Sequence, residues 1–197
     1  VTLLESPRTF AIMNRLLGGR RAHRALIAWL DPSPTARVLD LGCGVGALLH
    51  VLPRGVTYLG IEQDAGYVAA ADRWHASPRA RFRCADVTRL DLAGEAPFDA
   101  IVGSALLHHL DDADVGALCR LVRRCARPGA RLVTIDPDLA APGMAGWAVR
   151  ADRGMHIRTA ERYQRLLQAA LGPTEVQRRT DLLRIPYAHI LLRVTLA

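Results

Sequence analysis

The chain is predicted to be an α/β protein built on a doubly wound, mostly parallel sheet. Three observations predict it. Short apolar runs rich in β-branched residues alternate with amphipathic stretches of helical period from Arg37 onward. A glycine turn, Gly42 to Gly46, directly follows the first of these runs. The last two runs are separated by a short turn, which puts an antiparallel edge on the sheet.

Taken in order, Ser6-Pro7 reads as an N-cap followed by proline at the first helical position, opening a helix over 7–17 that Gly18-Gly19 stops. A second helix, 21–30, ends before the breakers Asp31-Pro32-Ser33-Pro34. Val38-Leu39-Asp40-Leu41 is the first strand, and a helix is expected over 47–52 after the glycine turn. Strands follow at 57–61, 80–85, 98–103 and 131–135, with helices at 65–75 and 112–126. The second of these helices carries Val115, Leu118, Val122 and Cys125 on one face. A helix at 161–171 and strands at 175–183 and 187–196 complete the chain. The stretch 136–158, with Pro137, Pro142, Gly143, Gly146 and Gly154, breaks this rhythm. It is read as a long loop covering the substrate side of a pocket. Residues 1–36 are then a helical lid and 37–197 the main domain.

Length and composition narrow the function classes. A chain of 197 residues with 50% hydrophobic and 23% charged residues buries enough surface to fold without a staple. The longest uncharged stretch, 41–53, has 13 residues and four Gly or Pro, too short and too broken to span a bilayer. No secretory or lipidation signal opens the sequence, so a cytoplasmic location is expected. All 26 basic residues are arginine, which excludes Schiff-base chemistry and a Walker-type phosphate loop. Cys43, Cys84, Cys119 and Cys125 have no zinc-site spacing. The net charge of +7 is dispersed: +4 over 1–37, −2 over 38–99, +2 over 100–135 and +3 over 136–197. No run exceeds two adjacent arginines and aromatics are 5%, which disfavours a nucleic-acid surface.

The most informative stretch is Val38-Leu39-Asp40-Leu41-Gly42-Cys43-Gly44-Val45-Gly46. In an open parallel sheet ligands bind beyond the carboxyl ends of the strands. Glycines there let the backbone approach a ligand without Cβ atoms in the way. Gly46 is expected to open a helix whose free N–H groups favour an acceptor or anion. Glu62 ends the second strand, where two carboxylate oxygens match two ribose hydroxyls. Asp86 ends the third, where it could accept from an adenine amino group. Asp40 would repel a pyrophosphate but suits an ammonium or a water-linked amino-acid group.

In these features the sequence resembles the class I S-adenosylmethionine-dependent methyltransferases. The resemblance is carried by residues 38–46, Glu62, Ala85-Asp86-Val87, Phe98 to Val102, Leu107-His108-His109-Leu110 and Arg127 to Leu132. It implies a Rossmann-like sheet of seven strands with the last reversed, and S-adenosylmethionine as cofactor. It also implies that Gly42, Cys43 and Gly44 line the methionine part through their backbone. Glu62 would hold the ribose, Gln63 flank the adenine, Asp86 and Val87 grip its ring, and Ser104 lie near the methionine moiety.

Methyl transfer from a sulfonium needs chiefly an aligned nucleophile; a base helps when that nucleophile must lose a proton. His108 is the candidate catalytic base because histidine titrates near neutrality, with Asp136 as its rival. Asp136, Asp138 and His108 could also converge on a metal. The family's metal-dependent enzymes carry an acid directly after the fourth strand, however, and Ser104 stands there, so no metal is expected. Arg150, Arg153 and Arg158 on the loop could clamp an anionic acceptor. The expected activity is methyl transfer to a small molecule. The alternatives are an RNA methyltransferase, or a cyclase or cofactor-binding protein that does not methylate.

Overall fold

The computed structural model describes residues 6–75, 77–95, 97–152 and 154–197, and Phe10 without its side chain. Its seven strands are β1 (Arg37–Leu41), β2 (Thr57–Glu62), β3 (Ala80–Cys84), β4 (Phe98–Ser104), β5 (Ala126–Pro137), β6 (Thr174–Arg179) and β7 (His189–Thr195). They form one sheet in the order β3-β2-β1-β4-β5-β7-β6. β1 to β5 pair in parallel, and β7 runs antiparallel to both β5 and β6. This is the mixed sheet the sequence predicts. Because β1 is flanked by β2 on one side and β4 on the other, its carboxyl end is the switch point where a crevice opens.

Period-two alternation sends β1 side chains to two separate cores. Leu39 and Leu41 pack with Ile101, Leu118, Val122 and Tyr163, beneath α4 (Asp112–Cys125) and α6 (Ala160–Leu171). Val38 packs on the other face with Val102, Val133 and Leu191, beneath α2 (Gly19–Leu30). α4 is started by Asp111, whose side chain accepts from the Asp114 N–H at 2.8 Å. α6 is started by Thr159, which accepts from the Arg162 N–H. The remaining helices are α1 (Pro7–Leu17), α3 (Ala65–His75) and α5 (Gly143–Arg150).

Four expectations change. The stretch after the glycine turn forms only a 3-10 turn, Ala47–His50, rather than a helix over 47–52. Ten residues separate Gly46 from β2, and Pro53 and Gly55 turn the chain back before a helix can propagate. Residues 143–150, read as loop, form α5. Gly146 is there for packing: a Cβ on it would sit 2.0 Å from the Ala141 carbonyl oxygen. β5 starts earlier than expected, at Ala126, through an irregularity between Phe98 and Ala100 that accommodates Pro128 and a left-handed Gly129. Finally, α2 is not a detached lid. Leu26 and Leu30 are fully buried in the second core, whereas α1 is largely exposed.

Candidate functional site

A cavity of about 620 Å³ opens at the carboxyl ends of β1, β4 and β5. Asp40, Gly42, Cys43 and Gly44 line one side, and Ser104, Ala105, His108 and Asp136 line the other. α1 and α2 contribute Asn14, Leu17 and His23 to the rim, and α5 contributes Ala148.

The glycine side is a tight backbone cradle. Gly42, Gly44 and Gly46 have φ of 72°, 53° and 74°, a left-handed conformation that glycine adopts at little cost. Glu62 fixes the loop: its Oε2 accepts from the Gly44 N–H at 3.0 Å and its Oε1 from the Asp64 N–H at 3.0 Å. The Gly42 and Cys43 N–H groups both donate to the Ile61 carbonyl. Cys43 is buried over Gly60, where a Cβ would come within 2.7 Å of its Sγ, and burial pushes the thiol pKa up. Beneath the cradle, Asp40 is 2% exposed. Its Oδ2 accepts from the Tyr58 hydroxyl at 2.6 Å, whereas its Oδ1 has no partner. Burial raises the Asp40 pKa to about 7, against the lowering effect of that hydrogen bond and with repulsion from Glu62 added.

The opposite side is built around His108, on the 3-10 turn Leu107–His109. Nδ1 lies 2.9 Å from Asp136 Oδ1, which also accepts from the His108 backbone N–H at 3.2 Å. Nε2 faces Asp152 Oδ1 at 3.4 Å. Burial alone would lower this imidazole's pKa. Hydrogen bonds to Asp136 and Asp152 outweigh burial and raise it to about 9. Asp152 is held well below the usual carboxylate range: bonds from His108, the Tyr187 hydroxyl (2.7 Å) and the Gly154 N–H overcome its burial. Burial raises the pKa of Asp136, which is shielded completely, more than His108 lowers it. His108 is thus favoured as an imidazolium, with the Asp152 carboxylate on its Nε2 side and the buried Asp136 holding Nδ1.

A strap of residues 154–158 covers this group. The His156 N–H donates to the His108 carbonyl at 2.9 Å, and a Cβ on Gly154 would sit 2.1 Å from His108 Cδ2. Arg158, 8% exposed, locks the turn from behind by donating to the carbonyls of Leu107 (3.0 Å) and Leu110 (2.7 Å) and to Asp112. Ala105, next to Ser104, has φ of 54°, a strained value for a residue with a Cβ.

A family model described as "Methyltransferase domain" matches residues 38–129. Over that region, a little under half of its length, the chain matches the class I S-adenosylmethionine-dependent methyltransferases. An uncharacterized methyltransferase of Mycobacterium tuberculosis is 36% identical over 114 residues, which is 57% of this chain and 56% of that one. The chain thus spans little more than half the length of that relative. An acetylserotonin O-methyltransferase of Mus musculus molossinus is 36% identical over 143 residues, 66% of this chain and 34% of that one. In structure, the 1,6-didemethyltoxoflavin-N1-methyltransferase of Burkholderia thailandensis superposes with a TM-score of 0.70 at 24% identity, over 94% of this chain and 81% of that one.

The residues expected at the cofactor divide into two groups. Asp40, Gly42, Cys43, Gly44 and Ser104 share the cavity with His108. Glu62, Gln63, Asp86 and Val87 lie outside its lining. Asp86 is an exposed turn cap: its Oδ1 accepts from both the N–H and the hydroxyl of Thr88, at 2.8 and 2.7 Å. Those bonds lower its pKa. The Val87 side chain is 8% exposed and belongs to the core, so it is not free to grip a ring. Gly46 opens a four-residue turn and not a helix, so no helix N-terminus faces the cavity there.

The anion clamp expected on the 136–158 segment is not formed by Arg158, whose guanidinium is spent on carbonyls and Asp112. Arg150 is exposed and outside the lining, and Arg153 lies outside the described residues. Asp138, considered with His108 and Asp136 as a metal ligand, pairs with Arg178 at 3.2 Å and accepts from the Ala140 N–H. Sequence reasoning missed Asp152, Tyr187 and His189 as a group. The available signal was the reversed last strand. An antiparallel β7 begins beside the end of β5, with His189 paired to Pro137, so residues 187 and 189 fall at the ligand-binding end of the sheet.

Proposed function

We propose that the chain transfers a methyl group from S-adenosylmethionine to a small-molecule acceptor. The observation that carries this reading is one cavity joining the glycine cradle above Asp40 to the His108–Asp136–Asp152 group. Two features fit the cofactor. The Gly42–Gly44 backbone is open to close approach, and the buried Asp40 Oδ1 lacks a partner in a wall that would face an α-amino group. Glu62, already bonded to the Gly44 N–H, would hold the ribose, while Gln63 and the 86–87 turn would border the adenine. Ser104 would flank the methionine end. When bound, the cofactor supplies a methyl group activated by a sulfonium.

The chain's own residues would position the acceptor and handle its proton. A hydroxyl or N–H of the acceptor would replace Asp152 at His108 Nε2, with Asp136 holding Nδ1 and fixing the ring. Deprotonated His108 would take the acceptor's proton as the new bond forms, an effect worth about 10²- to 10⁴-fold. Alignment of the nucleophile about 3 Å from the methyl would supply the larger share, about 7–11 kcal/mol. The 136–158 segment, with α5 and the strap, would act as the substrate-side cover, and α1 as the part of the N-terminal region able to open.

Calorimetry with S-adenosylhomocysteine tests the cofactor half. Incubation of extract metabolites with isotope-labelled S-adenosylmethionine tests the acceptor half. Binding together with a labelled small product is expected. Absence of binding at millimolar concentration, or label appearing only in added RNA, would replace this reading.

A further inference from the structure

Most of the large apolar side chains that the fold leaves exposed lie around the mouth of the cavity. On α5 and its C-cap, Met144, Trp147, Ala148 and Ala151 recur at i, i+3, i+4 and i+7, one stripe of a helix. Ala148 and Ala151 line the cavity, while Met144 and Trp147, each 72% exposed, carry the same stripe out to the surface. On α1, Asn14 and Leu17 line the cavity, and Ile12 and Leu16, 59% and 61% exposed, lie on the outer side of the helix. The Arg184 N–H donates to the Leu17 carbonyl at 2.8 Å. That bond sets Ile185, a lining residue that is itself exposed, beside the end of α1. Apolar side chains gathered at one opening, rather than scattered singly, mark a surface that meets another apolar phase.

Charge identifies that phase. α1, α2 and α5 are the helices that reach the cavity lining, and together they hold six arginines and no aspartate or glutamate. α3, α4 and α6 do not reach the lining, and each carries at least one acid. On α1, Arg8, Ile12, Arg15 and Leu16 fall at i, i+4, i+7 and i+8, so basic and apolar side chains share its exposed stripe. The acids closest in sequence to the rim are already engaged: Asp152 accepts from Tyr187, and Asp181 pairs with Arg179. A second copy of the chain on this face would set arginine against arginine, with no acid on these helices to meet them. A rigid protein partner would cap the cavity. A fluid anionic surface suits both features, since tryptophan and methionine enter the boundary below the headgroups while guanidinium groups meet the lipid charge.

We propose that the mouth of the cavity docks on an anionic lipid bilayer through the outer faces of α1 and α5. These helices, of 11 and 8 residues, are too short to cross a bilayer, so they lie at its surface. The inference goes beyond methyl transfer and does not depend on it.

Flotation of the full chain is measured with vesicles of phosphatidylcholine alone and with vesicles of phosphatidylcholine and phosphatidylglycerol in equal parts. Partition into the mixed vesicles should be about tenfold stronger or more, and should weaken as salt rises. Leu16→Ser combined with Trp147→Ser should lower it about tenfold. Arg8→Gln combined with Arg15→Gln should remove most of the preference for the mixed vesicles. All four side chains are exposed, so thermal melts should be unchanged. Absence of partition into the mixed vesicles at low salt, or equal partition into both compositions, overturns the proposal whether or not a variant folds. Partition that neither pair of substitutions alters overturns it as well. Self-association that Leu16→Ser abolishes, without vesicle binding, would put a second copy on this face instead. The assay contains neither cofactor nor acceptor, so its outcome is separate from that of the methyl-transfer tests.

Discussion

On the glycine side of the cavity, the residues that matter sit within one short segment plus Glu62, 18 positions away from its partner Gly44. On the histidine side, His108 meets Asp136 across 28 positions, Asp152 meets Tyr187 across 35, and Arg158 reaches Leu107 across 51. The first side is backbone shaped by local conformation, with a single carboxylate pinning it. The second is side-chain charge assembled from four parts of the chain and held shut by a strap. Local sequence can specify the first alone. The second exists only when β5, β7, Asp152 and the 154–158 strap are all in place. The two sides should therefore respond differently to mutation, and four experiments measure that difference.

His108→Asn carries the largest expected effect. Methyl transfer should fall about 10²- to 10⁴-fold while S-adenosylhomocysteine affinity is unchanged, because the histidine side would handle the acceptor's proton and not the cofactor. Equal losses in both would erase the distinction between the sides. The pH profile sharpens it. His108 must lose its proton to act as base, and its pKa is raised to about 9, so kcat/KM should climb as pH rises towards 9. Stability runs the other way. A folded-state pKa above the unfolded value gives stability that is complete below about 6.5 and lost as pH rises through about 9. Rate profiles and thermal melts across that window should run in opposite directions.

Arg158→Met comes next. It leaves the Leu107 and Leu110 carbonyls without their donor, while the exposed Asp112 keeps Arg162. A buried polar group left unbonded costs about 1–3 kcal/mol, read by denaturant unfolding. If the glycine side is as independent as its short-range bonds imply, the surviving folded fraction should still bind S-adenosylhomocysteine. Glu62→Gln reverses the pattern. It weakens the carboxylate bonds to the Gly44 and Asp64 N–H groups and the proposed ribose contact, so S-adenosylhomocysteine should bind about tenfold more weakly, about 1.4 kcal/mol.

This contrast also explains what could be read from sequence. The mostly parallel sheet and its reversed edge follow from alternation and turn spacing, and Asp40, Gly42, Cys43, Gly44 and Ser104 meet at one opening because each lies at a strand's carboxyl end. The 3-10 turn at 47–50 was masked because Ala47, Leu48 and Leu49 have good helix propensity. What forbids the helix is the short distance to β2. Arg158 was legible as a charge on a loop, but its burial depends on two carbonyls, of Leu107 and Leu110, that only the folded turn at 107–110 presents. His189 looked like an ordinary strand residue until the antiparallel register set it beside Pro137.

Ala105 sits at the seam between the two sides and tests whether strain there has a use. It follows Ser104, lines the cavity, and holds φ of 54° while its N–H donates to the Ile135 carbonyl at 2.8 Å. A residue with a Cβ pays about 1–2 kcal/mol for this conformation, and glycine avoids it. Glycine also has more unfolded-state freedom to lose, which offsets about 0.4–1 kcal/mol of the gain. Ala105→Gly should therefore stabilise the fold by about 1 kcal/mol or less, measured as a shift in denaturant midpoint at constant slope. If the strained alanine serves only to turn the chain, methyl transfer should be unchanged. If it sets the spacing between Ser104 and His108, the variant should be more stable and slower, with KM for the acceptor raised and cofactor affinity intact. That split would mean that the peptide joining the two sides, and not either side alone, fixes the distance over which the methyl moves.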